Sequence, residues 1–325
     1  MNTIREILDW FQAKGNRIII SDVDQTQIIS APKSISEANK NHISFINQKY
    51  ASQFDEIINS TKCQIILIDA GLLNDVDEKD LPNNIAFVVS DNPKMEIIDF
   101  CKSFLNFQKP IQESVIHKTA CISENAIIGN HVIIEAFVVV EENVTIGNLC
   151  IIGANTVIKK NTVIADNVVI GSCNVIGGVG FGYAKRENSN EYDQLPHYGG
   201  VIIKDKVHIG NNTCIDRGSL SDTVIEEGVK IDNLVHIAHN VKIGKNSLII
   251  ACSMIAGSVV IGENCWVAPS VIIRNGIIIG ENSTLGMGCL VTKDIPANIT
   301  VTGSPAMPLD EYKKLLKSQK LMMEK

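Results

Sequence analysis

Over most of the chain an aliphatic residue returns at every sixth position. The first series holds Ile116, Ile122, Ile128, Ile134, Val140, Ile146, Ile152, Ile158, Ile164, Ile170 and Ile176, eleven successive sixth positions. A second begins at Ile203, slips by four residues around 217–222, and runs from Ile225 to Val291. A period of six is neither helical nor that of an alternating strand; it predicts a parallel β-helix in which each hexad forms one face of a triangular prism and three hexads form a coil. The two series amount to about nine coils. Four residues after most aliphatic positions stands a small or β-branched residue (Ala120, Val132, Cys150, Val168), suited to an inward-turned corner. Asparagine recurs between them, at Asn125, Asn143, Asn155, Asn161 and Asn167, a residue that tolerates the left-handed backbone of sharp turns.

The period is absent from residues 1–109. An amphipathic helix at the start, β-rich runs at Arg17–Ile20 and Gln64–Ile68, and a helical stretch from Asn92 to Phe104 predict a small α/β domain. Pro110 marks the boundary. The β-helical domain then spans 110–305, and 306–325 is expected to form a short C-terminal helix. Between 177 and 200 regularity lapses in a glycine-rich, then polar segment. Its glycines suit either a plain exit from the coil or close approach of backbone to a ligand.

Composition narrows the function classes. Aromatic residues make up only 5% of the chain while hydrophobic ones reach 45%, which fits a narrow core of stacked aliphatics. A formal charge of −7 argues against a sequence-independent nucleic-acid surface. No apolar run has the length and purity of a membrane span, and the start lacks a signal-peptide core, so a cytoplasmic location is the expectation. The nine cysteines form no CxxC pair and read as reduced core thiols, with Cys150, Cys265 and Cys289 at the small inward position of the repeat.

Chemistry concentrates in Ile231–Val241. His239 follows the inward Ile237 by two residues and is expected to face outward. Asp232 lies seven residues earlier, and Gly257, eighteen residues later, falls one coil above. An imidazole oriented by a carboxylate is a general base at neutral pH, and a glycine N–H above it suits an oxyanion. His236 also faces outward, but two histidines with no evident third ligand predict no metal site. His117, His131, His197 and His208 read as surface residues.

The run Ile215-Asp216-Arg217-Gly218-Ser219-Leu220-Ser221-Asp222-Thr223, with Ile231-Asp232-Asn233, His236-Ile237-Ala238-His239-Asn240, Gly180-Phe181-Gly182-Tyr183-Ala184 and His42–Tyr50, resembles the UDP-3-O-acylglucosamine N-acyltransferases of lipid A biosynthesis. The resemblance implies a left-handed β-helix, a homotrimer with sites between adjacent β-helices, and a uridine-binding N-terminal domain. It implies no permanently bound cofactor; the acyl donor is the 4′-phosphopantetheine thioester of acyl carrier protein. It makes His239 the base that deprotonates the sugar amine, Asp232 its support and the Gly257 N–H the oxyanion donor. Phe45 and Tyr50 match aromatics that sandwich uracil, with Asn47 and Lys49 beside them; Gly180, Phe181, Gly182, Tyr183, His236 and Asn240 complete the expected substrate-binding set. Three departures stand out. The Phe45–Tyr50 segment is one residue shorter than the family pattern, a second family histidine falls near Asn275-Gly276, and the runs Trp266–Pro269 and Val291–Pro296 look more like coenzyme A-dependent sugar acetyltransferases. The alternative is therefore a nucleotide-sugar N-acyltransferase using a short acyl-coenzyme A or acetyl-coenzyme A in surface-glycan synthesis. A β-helical protein without catalysis and a metal-dependent hydratase are the readings from other classes.

Overall fold

The computed structural model describes residues 2–20, 22–74, 76–105, 113–302, 317–319 and 322–323. The chain divides into two compact units, Met1–Pro110 and Ile111–Lys325. Most of the expected helix over 306–325 lies outside the described residues, although 317–319 and 322–323 are helical.

In the N-terminal unit a five-stranded sheet is ordered Arg17–Ile19, Ala86–Ser90, Ile65–Asp69, His42–Ile46, Ala31–Pro32. Its first pair is antiparallel and the others parallel. The helix Ile4–Ala13 starts at a capping box, in which Thr3 accepts from the Glu6 N–H and Glu6 accepts from the Thr3 N–H. Because successive side chains of a strand point to opposite faces, the sheet buries two cores. Ile43, Ile65, Leu67, Ala86 and Val88 pack against the helices Ile4–Ala13 and Pro93–Phe104; Ile46, Ile66, Ile68 and Phe87 pack on the other side with Phe54 and Ile58.

The second unit is the expected β-helix. Two-residue strands stack in parallel into three faces of ten, nine and eight strands, and the sixth-position residues from Ile134 to Val291 form one buried core. In regular coils partners are 18 residues apart, as in Val139↔Val157 and His236↔Met254. Left-handed backbone at the corners belongs to Asn143, Asn155, Asn161 and Asn167 as expected, but also to Phe137, Leu149, Cys173 and Leu234, whereas Asn125 does not adopt it. The corner imposes the conformation, and packing tolerates residues that seldom choose it alone. Cys150, Cys265 and Cys289 are buried, and burial pushes the Cys150 thiol up to about 11. Cys121, Cys173, Cys214 and Cys252 are exposed free thiols, so the inward reading fails for those four.

Two coils break the spacing. The strand Val175–Gly178 pairs with Cys214–Asp216, and Cys214–Asp216 with His236–Ile237, at separations of 39 and 22 residues. The first insertion carries an antiparallel hairpin, Tyr183–Lys185 with Tyr192–Gln194, closed by a bidentate Arg186–Asp193 pair. Both insertions leave the corner between the second and third faces, in successive coils.

Candidate active site

That same corner carries His239 and Asn240 in the next coil, then Gly257, then Asn275. A cleft of about 550 Å³ is lined by Phe181, Asp216, His236, Ala238, His239, Met254, Ala256, Gly257, Ser258 and Asn275. The arrangement follows from the coil register, which repeats one corner above another whatever the residues between.

His239 is half-buried, and its ring is fixed from three sides. A Cβ on Gly257 would lie 2.7 Å from its Cε1 and 2.8 Å from its Nε2, so any larger residue there would displace the ring. A Cβ on Gly180 would lie 3.0 Å from the His239 Cβ, which gives that inserted glycine a steric role. His197 packs edge-to-face on it, ring centroids 5.5 Å apart. A further constraint is polar: His239 Nδ1 is 2.9 Å from Asn240 Oδ1. Asn240 Oδ1 also accepts from the Ser219 N–H and hydroxyl, while its Nδ2 donates to the Ser221 carbonyl. A backbone donor and a backbone acceptor on opposite ends of the amide fix which atom is oxygen. Nδ1 must then donate, so Nε2 carries the lone pair. The four-residue insertion thus sets the tautomer of His239.

The N–H of Gly257 has no acceptor among the described residues, whereas its carbonyl accepts from the Gly276 N–H at 2.9 Å. His236 is exposed, with Nε2 3.8 Å from Asp216 Oδ2. Burial pushes the Asp216 carboxyl above its ordinary value, opposed by the neighbouring imidazoles of His236, His239 and His197. Arg217, almost fully buried, points away from the cleft and donates to the carbonyls of Gly177 and Lys160. It ties the roots of both insertions to the coil below.

Two expectations need correction. Asp232 does not support His239 within this chain: its Oδ1 accepts from the N–H and Nδ2 of Asn233, each at 2.8 Å. Seven residues is one hexad and one step, which places Asp232 at the corner between the first and second faces. Nor do Phe45 and Tyr50 form a sandwich. Phe45 packs with the Ile43 core and lines a cleft with Ile97, Ile98 and Cys101; Tyr50 packs with the Ile46 core on the other side of the sheet. Phe45 lies on the strand His42–Ile46, whereas the shortened segment turns directly into the helical turn Gln48–Gln53, which carries Tyr50 to the other side of the sheet. Lys49 lies over the Tyr50 ring at 4.7 Å, and Asn47 Oδ1 is buried without a hydrogen bond. Of the other expected residues, Gly182 packs near His197, and the rings of Phe181 and Tyr183 lie 5.0 Å apart at the cleft's exposed rim.

Asp216 and His197 were not singled out from the sequence as site residues. The four-residue slip held the signal for Asp216: a 22-residue register puts it beneath Ala238, next to His239. His197 left no such trace, because a loop outside the repeat carries it. Among the described residues no group of three or more histidine, cysteine, aspartate or glutamate side chains is placed to hold a metal ion.

The family described as bacterial transferase hexapeptide (six repeats) matches residues 125–160, 222–257 and 258–293. These coils are transferase hexapeptide repeats. The chain is 54% identical over 142 residues to a UDP-3-O-acylglucosamine N-acyltransferase 2 of Legionella pneumophila, and 53% identical over 138 residues to a UDP-3-O-acylglucosamine N-acyltransferase of Caulobacter vibrioides. These matches cover 44% and 42% of this chain, and the chain spans 41% and 40% of those relatives. A solved UDP-N-acetylglucosamine acyltransferase from Campylobacter jejuni shares the left-handed β-helical fold at 22% identity and a TM-score of 0.50, covering 65% of this chain and 85% of its own. No helix among the described residues is long and apolar enough to cross a membrane.

Proposed function

We propose that this protein is an N-acyltransferase that moves an acyl group from a phosphopantetheine thioester on acyl carrier protein to the amine of a UDP-amino sugar, a UDP-3-O-acylglucosamine. The observation that carries the reading is the juxtaposition of a His239 Nε2 lone pair and an unengaged Gly257 N–H in one cleft. The amine nitrogen attacks the thioester carbonyl carbon and His239 Nε2 takes the amine proton. The Gly257 N–H donates to the oxygen that becomes negative. Collapse breaks the carbon–sulfur bond and returns the proton to the departing thiolate, leaving an amide and a free thiol. The names of the relatives, at 53–54% identity over the matched part, support the substrate class.

In this reading the protein works as a cytoplasmic homotrimer, and the exposed Phe181, Tyr198 and Leu220 of the two insertions are surfaces that a neighbouring subunit covers. The N-terminal unit receives uridine through Asn47, whose unpaired Oδ1 suits the imide N–H of uracil. The resemblance of Trp266–Pro269 to coenzyme A-dependent enzymes favours a second donor, a short acyl-coenzyme A. A screen of acyl carrier protein thioesters against acyl-coenzyme A thioesters, with UDP-amino sugars as acceptors and mass spectrometry of the product, decides between them. The expected product is the amide formed from the carrier-protein thioester. No amide from any donor would sink the assignment.

A further inference from the structure

His239 becomes positively charged when it takes the amine proton, yet the group on its Nδ1 is the neutral carboxamide of Asn240. The nearest built-in negative charge in the cleft is Asp216. It sits one coil below, in the register position under Ala238, and lines the same cleft as His239 and His236. Its carboxylate is only 15% exposed. Its Oδ1 faces Gly178, where a Cβ would come within 3.3 Å, so the coil below brings no side chain against it. Above and beside it stand three imidazoles, His236, His239 and His197, and on its own strand the Cys214 thiol, whose ionisation it opposes. No lysine or arginine pairs with it among the described residues, since Arg217 is turned to the carbonyls behind. A carboxylate half-withdrawn from water among imidazoles and without a hydrogen-bonded partner is costly unless charge develops beside it.

We infer that Asp216 is a positioning residue for the transfer step: it supplies the counter-charge for the His239 imidazolium, with His236 as the second imidazole sharing its field. This rests on the reading of the cleft as the acyl-transfer site. While the amine is being deprotonated the net charge between Asp216 and His239 goes from −1 to zero, so their attraction is realised as the proton moves and is absent beforehand. An interaction of that kind lowers the barrier and leaves ground-state sugar binding alone.

The test uses the full chain with Asp216→Asn and Asp216→Glu, and two readouts. Imidazole NMR titration follows the pKa of His239 directly, assigned by comparison with His239→Ala. Removing the carboxylate's charge in Asp216→Asn should lower that pKa by about 0.5–1 unit, and Asp216→Glu should restore most of it. Steady-state kinetics should show kcat about tenfold lower in Asp216→Asn, with KM for the amino sugar near that of the unaltered chain. An unchanged His239 titration in Asp216→Asn overturns the inference whatever the rate does. A raised KM at unchanged kcat also overturns it, because Asp216 would then be a ground-state sugar contact. If the unaltered chain transfers no acyl group, the proposed function fails, and the titration alone still decides whether Asp216 and His239 are coupled.

Discussion

Two corners of one solenoid, built on the same register, do opposite things with their backbone N–H groups. At the corner between the first and second faces, Asn211 accepts from the Ser172 N–H and Asn233 from the Asn211 N–H, each at 2.7 Å; Asp232 holds Asn233 in turn. The third-to-first corner does likewise, with Asn148, Asp166 and Asp205 accepting from Asn130, Asn148 and Asp166. In these coils a side chain satisfies an N–H of the coil below. At the corner between the second and third faces the residue above His239 is Gly257, which has no side chain to give the His239 N–H, and among the described residues the Asn275 side chain one coil further up accepts nothing from Gly257. The ladder is interrupted, an imidazole occupies the gap, and the Gly257 N–H stays unengaged among the described residues. A solenoid makes a site by withholding at one corner the bond that stabilises the others.

The comparison is most easily broken at His239. His239→Ala should lower transfer by about 10²–10⁴-fold while the melting temperature and β-sheet circular dichroism stay near those of the unaltered chain. Turnover at the original rate would end the proposed mechanism. Next come paired glycine substitutions. Gly153→Ala puts a methyl 2.5 Å from the Gly171 carbonyl carbon, where backbone has no room to yield, whereas the Gly257 methyl meets only a side chain that can rotate away. Gly153→Ala should therefore cost about 1–3 kcal/mol of stability in thermal unfolding and leave residual activity per folded molecule. Gly257→Ala should do the reverse, and equal melting losses from the two would erase the distinction between the corners.

Asp232→Ala tests the ladder itself. Loss of its bonds to Asn233 should cost about 1 kcal/mol in chemical denaturation, with kcat per folded protein changed less than in His239→Ala. A collapse of kcat without loss of stability would return Asp232 to the chemistry. The smallest effect concerns Asp216. Its folded pKa is raised above the ordinary 3.8, so the native state favours the protonated acid. The stability it contributes is present below that ordinary value and lost as pH rises through the folded one. At neutral pH Asp216→Asn should consequently melt about 1–3 °C higher, a gain that shrinks in melts run toward pH 4. A lower melting temperature at neutral pH would show that the carboxylate stabilises the fold.

The solenoid was legible because its signal repeats: one rule, an aliphatic residue every sixth place, is stated many times between Ile116 and Val291. His239 and Gly257 were legible for the same reason, being eighteen residues apart. Asp232 misled because nearness along the chain is not nearness across a prism; seven residues crosses a corner. Asp216 needed the inserted residues to be added to the coil before it fell beside His239, and His197 arrives through a hairpin that obeys no period. In the N-terminal unit Phe45 and Tyr50 matched a sequence pattern, but Phe45 ends up on the strand His42–Ile46 and Tyr50 on the helical turn Gln48–Gln53, which sends the two rings to different faces of the sheet.

The buried Arg217 bears on how such a chain can change over generations. The strand ladders join each coil to its immediate neighbours, so the insertions that separate partners by 39 and 22 residues leave the coils above them in the same register as those below. Arg217 closes the doorway through which both leave, by gripping the carbonyls of Gly177 and Lys160. What lies beyond that doorway is free to be lengthened, trimmed or exchanged as a cassette. The residues that the insertions bring to the cleft can thus be rewritten while the column that stacks Gly257 over His239 is inherited intact.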